Sequence, residues 1–200
     1  MIRTVIADDE ELIRGALVAL LSLEPDLEVV ADVGDGEQAV AAAIAHRPAI
    51  MLLDLEMPRL DGIDAAQRLL GLVDTQVIIV TRHARPGTLK RALAAGVRGF
   101  VPKSTPASEL ATIIRSVAVG ERYIDARLAT AALTEEENPL TPREVDVLRL
   151  ARDGLATRHI AKQLGLAHGT VRNHISAAMA KLAADSRTAA AASAWEQGWI

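Results

Sequence analysis

Short β-branched runs alternate with helix-period segments through the first 119 residues, and then the strand runs stop. TVIA (4–7), LEVVADV (27–33), AIMLL (49–53), VIIV (77–80) and GFV (99–101) are short, largely apolar stretches, the kind that strands covered on both faces require. Helical patterns fill the gaps near 11–23, 37–46, 62–70 and 87–95, with a last one near 108–119. In that last segment Leu110, Ile113, Ile114 and Val117 share one face at i, i+3, i+4, i+7 spacing. Five βα repeats with right-handed crossovers predict a doubly wound, parallel, five-stranded α/β domain.

From Leu140 the pattern is helical only. Thr141 is a good N-cap, Pro142 suits the first helical position and Glu144 completes a capping box. That helix is expected to run to about 152. Further helices follow near 157–164, 169–183 and 187–197, with Gly154 and Gly165 as stops. The stretch between the two patterns includes a possible short helix at 125–133 and an acidic run at 135–137 ahead of Pro139. The expected organisation is a domain over 1–119, a linker over 120–138, and a small all-α helix-turn-helix domain over 139–200.

Composition narrows the chemistry. There is no cysteine, which excludes disulfides, thiol catalysis and thiolate metal sites. Aromatics are 2%, so cores must be built from Ala, Val, Leu and Ile. No basic, apolar leader opens the sequence, and no apolar run of about 18 residues lacks a charge. No signal peptide or membrane insertion is therefore expected, and a cytoplasmic location is. Charge divides the chain. Residues 1–136 carry 14 Lys/Arg against 20 Asp/Glu, whereas 137–200 carry 8 against 6. Between Gly154 and Ala184 there are four cations and no acid, which suggests different partners for the two halves.

Polar residues punctuate the strand ends. Asp8 and Asp9 follow TVIA, Asp54 follows AIMLL, Thr81 follows VIIV and Lys103 follows GFVP. In an open parallel sheet the carboxyl ends of the strands form the ligand crevice. Three carboxylates, a hydroxyl and an ammonium are thus expected in one place. Clustered carboxylates repel one another, and Mg²⁺, a hard cation that takes oxygen ligands and phosphates, resolves that repulsion. Phosphoryl transfer needs positioning and charge neutralisation above all. Asp54 can act as nucleophile toward phosphorus while Mg²⁺, Lys103 and Thr81 each take one phosphoryl oxygen.

In the back half, Ile160, Ala161, Leu164, Val171, Ile175, Met179 and Leu182 can form a shared core for two helices joined by a short turn at Gly165. A helix-turn-helix places its second helix in the DNA major groove. Arg172, Asn173 and Ser176 lie on the face expected to be exposed, and Arg pairs well with guanine and Asn with adenine. Thr170, His174 and Lys181 suit phosphates. A helical protein-binding bundle with a solvated basic face is the plainer alternative.

The texts VIADDEELIRGAL, MLLDLEMPRLDGIDA, IIVTRHARPG and AGVRGFVPKS resemble the receiver domain of bacterial response regulators. LTPREVDVLRLARDGLATRHIAKQLGLAHGTVRNHISAAMAKLAADSRTAA resembles the output domain of the NarL/FixJ, or LuxR-type, regulators. The resemblance implies a CheY-like fold with Asp54 as phosphoacceptor. It implies Mg²⁺ ligation by Asp9, Asp54 and the main-chain carbonyl of Glu56, with Asp8 assisting, and Thr81 and Lys103 as the switch pair, with Phe100 as switch aromatic. Pro58 and Gly62 match the turn after the acceptor strand. Glu56, Arg82 and His83 stand where they can tune the lifetime of the phosphoryl group. The implied partners are a sensor histidine kinase, a double-stranded DNA operator and a second copy on activation. The implied role is a phosphorylation-activated transcription regulator and not a turnover enzyme, with self-phosphorylation and dephosphorylation only. Two alternatives stand beside it: an aspartate-nucleophile phosphohydrolase, faintly echoed by Asp54–Leu55–Glu56, and a phosphorylation-independent DNA-binding regulator.

Overall fold

The computed structural model describes residues 1–82, 85–126, 128–130 and 138–200. The chain forms two compact units, one mainly from residues up to 130 and one mainly from those after.

The first unit is a parallel sheet in the order β2-β1-β3-β4-β5-β6. Its strands are β1 (Ile2–Ala7), β2 (Leu27–Val33), β3 (Ile50–Asp54), β4 (Gln76–Thr81), β5 (Gly99–Pro102) and β6 (Tyr123–Ile124). Five helices, α1 (Glu11–Leu21), α2 (Gly36–His46), α3 (Gly62–Leu70), α4 (Pro86–Ala94) and α5 (Ala107–Ala118), form the crossovers. The sheet has six strands, not the five expected. Tyr123 and Ile124 pair in parallel with Gly99 and Phe100, from within the stretch that reads as linker. Two residues are too few to show a period of two, so only the pairing with β5 reveals this strand. Residues 126 and 128–130 are helical and 125 is not, while 127, 131–133 and the acidic run lie outside the described residues.

Every residue of β3 is buried, as a central parallel strand demands. Alternation sends Ile6, Leu52, Ile78 and Val101 to one face, where they pack with Leu21 of α1 and with Leu110, Ile113, Ile114 and Val117 of α5. The intervening Val5, Met51, Leu53, Val77 and Ile79 are equally buried toward α2 and α3, which supply Ala39, Ala43, Ile63 and Ala66. Each large aliphatic side chain buried in this way contributes roughly 1.5–3 kcal/mol. Gly62 opens α3 against the end of β3. A Cβ there would come within 2.2 Å of the Asp54 carbonyl, so only glycine lets the loop close.

The second unit holds α6 (Pro142–Arg152), α7 (Thr157–Leu164), α8 (His168–Lys181) and α9 (Arg187–Glu196). The expected capping box is formed: the Glu144 amide donates to Thr141 Oγ1 and the Thr141 amide to Glu144 Oε2. Gly165 ends α7 at φ 65°, the left-handed cap that turns the chain toward α8. Ile160, Ala161, Val171 and Ile175 pack with Val147 and Ala151, and Leu164 and Met179 join them. Leu182 belongs instead to the neighbouring cluster with Leu148, Ala178, Ala190 and Trp199.

Candidate functional site

The strand order explains why residues far apart in sequence meet. β1, β3, β4 and β5 lie near one another in the parallel sheet, so their carboxyl ends share one edge. The Lys103 amide donates to the Thr81 carbonyl at 2.8 Å, which ties the ends of β4 and β5 together. Lys103 Nζ then faces three carboxylates at once: Asp8 Oδ2 at 2.8 Å, Glu10 Oε1 at 2.9 Å and Asp54 Oδ2 at 3.0 Å. Asp9, Glu10, Asp54, Glu56, Thr81, Arg82 and Lys103 line a cavity of about 190 Å³. Asp8, Asp54 and Thr81 are buried, whereas Asp9 and Glu56 reach solvent. Phe100 is fully buried on β5 and does not line the cavity. His83 lies outside the described residues.

The electrostatics favour a cation. Carboxylate oxygens of Asp8, Asp9, Glu10 and Asp54 lie within 4.8 Å of one another. Burial pushes the Asp54 carboxyl up to about 6; Lys103 pulls against that shift and the charge on Asp8 adds to it. Burial works against the Lys103 charge, yet its three acidic partners hold it protonated well above the usual lysine range. The hydrogen bond from Lys103, helped by Arg82, keeps Glu10 below the usual carboxylate range. An all-oxygen, over-acidic corner beside a cavity suits a hard divalent cation, and these residues can hold one.

Glu10 is the member of this cluster that sequence reading missed. It bonds Lys103 and also pairs with Arg82 across the cavity. Its only sequence signal is its place directly after two aspartates.

On α8, Arg172, Asn173 and Ser176 are exposed and Thr170 and His174 are half-buried. The N-cap of α8 is Ala167, with no side-chain cap bond, so no side chain of its own N-cap covers the first-turn amides. Lys181, expected to meet phosphate, also has an ion-pair partner within this unit. Its Nζ lies 2.7 Å from Glu144 Oε2, joining the end of α8 to the capping box of α6. Burial pushes the Glu144 carboxyl up, but Lys181 and Thr141 outweigh it and hold the group below its usual range. Lys181→Ala is therefore expected to destabilise the second unit by about 1–2 kcal/mol, a figure reduced because Lys181 is a third exposed. Thermal melts followed by tryptophan fluorescence report this unit selectively, since Trp195 and Trp199 are the chain's two tryptophans. An unchanged melt would remove the pairing from the stability of this unit.

The chain thus joins a unit with an acidic cavity and a buried lysine at one edge of its sheet to a helix-turn-helix unit. The model of the response regulator receiver domain matches residues 4–115, and that of the luxR family of bacterial regulatory proteins matches 138–194. The chain is 43% identical over its whole length to the transcriptional regulatory protein DesR of Bacillus subtilis, covering all of that protein. It is 34% identical to the DNA-binding transcriptional activator DevR/DosR of Mycobacterium tuberculosis, over 98% of this chain and 95% of that one. The crystal structure of the response regulator ChrA, from a heme-sensing two-component system, matches with a TM-score of 0.58 at 28% identity, over 100% and 98% of the two chains. The protein belongs to the response regulators with a luxR-family DNA-binding domain, which act as transcription factors. Among the described residues no helix is long and apolar enough to cross a membrane.

Proposed function

We propose that this response regulator accepts a phosphoryl group on Asp54 from a sensor histidine kinase and, so modified, dimerises and binds a two-half-site operator. The observation that carries the reading is a buried carboxylate, Asp54, held 3.0 Å from a buried lysine at the wall of a cavity wide enough for a phosphoryl group. An Asp54 carboxylate oxygen attacks phosphorus, the bond from phosphorus to the donor nitrogen breaks, and the imidazole leaves with the electron pair. Lys103 takes one phosphoryl oxygen and the Thr81 hydroxyl another. Asp9, Asp54 and the Glu56 carbonyl, with Asp8 assisting, would hold Mg²⁺, which neutralises charge on the transferring group. Glu56 and Arg82, both on the cavity rim, set how easily water reaches the phosphoryl group. A small donor such as acetyl phosphate serves the same chemistry, so self-phosphorylation and slow self-dephosphorylation belong to this reading.

The expected limits, 1–119 and 139–200 joined by 120–138, are part of the proposal, as is a cytoplasmic location. Arg172, Asn173 and Ser176 would read base edges, while Thr170, His174, Lys181 and the first-turn amides of α8 meet phosphates. The phosphohydrolase alternative wants a cap domain, and residues 138–194 are a DNA-binding module instead.

The Thr81 and Phe100 positions carry the switch. Bonds made only to the phosphorylated site supply the differential free energy that shifts the population. Wild-type chain with beryllofluoride should sediment as a dimer, and Thr81→Ala should dimerise at least about tenfold more weakly, some 1.4 kcal/mol. Analytical ultracentrifugation, with and without the mimic, measures both. A wild type fully dimeric at micromolar concentration without beryllofluoride would overturn this mechanism.

A further inference from the structure

The geometry points to Arg14 as a positioning residue for the carboxylate corner at the end of β1, an inference that rests on reading Asp9 and Asp54 as cation ligands. Helix α1 reads ELIRGALVALL, and Arg14 is its only charge after Glu11. The side chain does not simply run out to water, being 18% exposed. Its Nη1 donates to the main-chain oxygen of Asp8 at 2.6 Å, and its Nε donates to Asp32 Oδ2 on β2 at 3.0 Å. The Asp8 carbonyl lies just beyond the last paired residue of β1, so it has no ladder partner, and the guanidinium provides one.

Asp8 is consequently held at four points. Its amide donates to the Val33 carbonyl at 3.1 Å, and its carbonyl accepts from Arg14. Its Oδ1 accepts from the Glu10 amide at 2.9 Å, and its Oδ2 pairs with Lys103. With both Asp8 oxygens in use, and with Glu10 paired to Lys103 and Arg82, the more open carboxylate is that of Asp9, on the turn that the Asp8 carbonyl anchors. Arg14 therefore sets where that turn stands relative to Asp54, without touching the cation itself. A guanidinium offers several donors in one fixed plane and spans a carbonyl and a carboxylate together, a geometry a lysine ammonium does not reproduce. Partners that orient ligand groups in this way typically govern metal affinity by 10–100-fold.

The test is Mn²⁺ binding to the full chain, read from the electron paramagnetic resonance of the free ion well below the melting temperature. Thermal melts without metal run alongside, comparing wild type, Arg14→Ala, Arg14→Lys and Asp32→Asn. The expected result is about tenfold weaker Mn²⁺ binding for Arg14→Ala and partial recovery for Arg14→Lys, with Asp32→Asn weaker by roughly threefold. A role confined to fold stability would lower the melting temperature and leave the Mn²⁺ affinity of the folded chain unchanged, and that outcome overturns the inference. If Arg14→Ala fails to fold, Asp32→Asn decides it, and wild-type affinity there overturns it too. A wild type that binds no Mn²⁺ would instead overturn the cation-site reading, and this inference with it.

Discussion

Asp54→Asn should abolish phosphorylation of the chain while making the metal-free receiver more stable. The first effect is all-or-none, because Asp54 is the buried carboxylate that lines the cavity beside Lys103. Acetyl phosphate with Mg²⁺ should label wild type and leave the variant blank. Labelling of Asp54→Asn to the wild-type level would sink the assignment. The second effect follows from linkage. The folded carboxyl sits at about 6, above the unfolded value of roughly 4. A group raised in this way contributes its stability below the unfolded value and loses it as pH rises through the folded one. At pH 7 Asp54 is therefore ionised at a cost on the order of 2 kcal/mol, which the amide removes. Melts of the receiver without metal should show the variant ahead at pH 7 and the difference shrinking toward pH 4. The desolvation that raises this group, to which the charge on Asp8 adds, is a cost that a bound cation would relieve.

Arg172→Ala should weaken operator binding by roughly 1–3 kcal/mol, about 5- to 150-fold, and relax sequence preference. The side chain is exposed on α8, one turn before Ser176 and beside Asn173. A bidentate contact to guanine is lost only on the matched site, so binding to scrambled DNA should fall much less. Binding curves on matched and scrambled duplexes at several salt concentrations separate the two classes of contact. Equal losses on both would place Arg172 on the phosphate backbone. Asn173→Ala and Ser176→Ala are expected to have smaller effects; the other exposed residues of α8 are His168, Gly169, Ala177, Ala180 and Lys181.

Much of the molecule follows from local sequence. The apolar runs define β3 and β4 and the cores of β1 and β5, because a strand buried on both faces must be apolar throughout, whereas edge strand β2 keeps Glu28 and Asp32. The polar residues that stop those runs come to one edge because all the strands point the same way. Thr141 and Glu144 announce a capping box at a spacing that permits one geometry, and the box forms. Gly165 marks the turn between α7 and α8. These signals act over one to four residues, where backbone sterics and hydrogen bonding decide. Tertiary structure decided what depends on partners distant in sequence. The two-residue β6 exists only through its pairing with β5. Glu10 and Lys103 meet across 93 residues, and Arg14 reaches across 18 to Asp32. Lys181, which local reading assigns to phosphate, finds Glu144 37 residues back. The raised value of Asp54 has the same origin, because desolvation and repulsion are properties of the space around a group. Sequence alone determines which charges a chain carries, and only folding determines how far apart they stand and how much water lies between them.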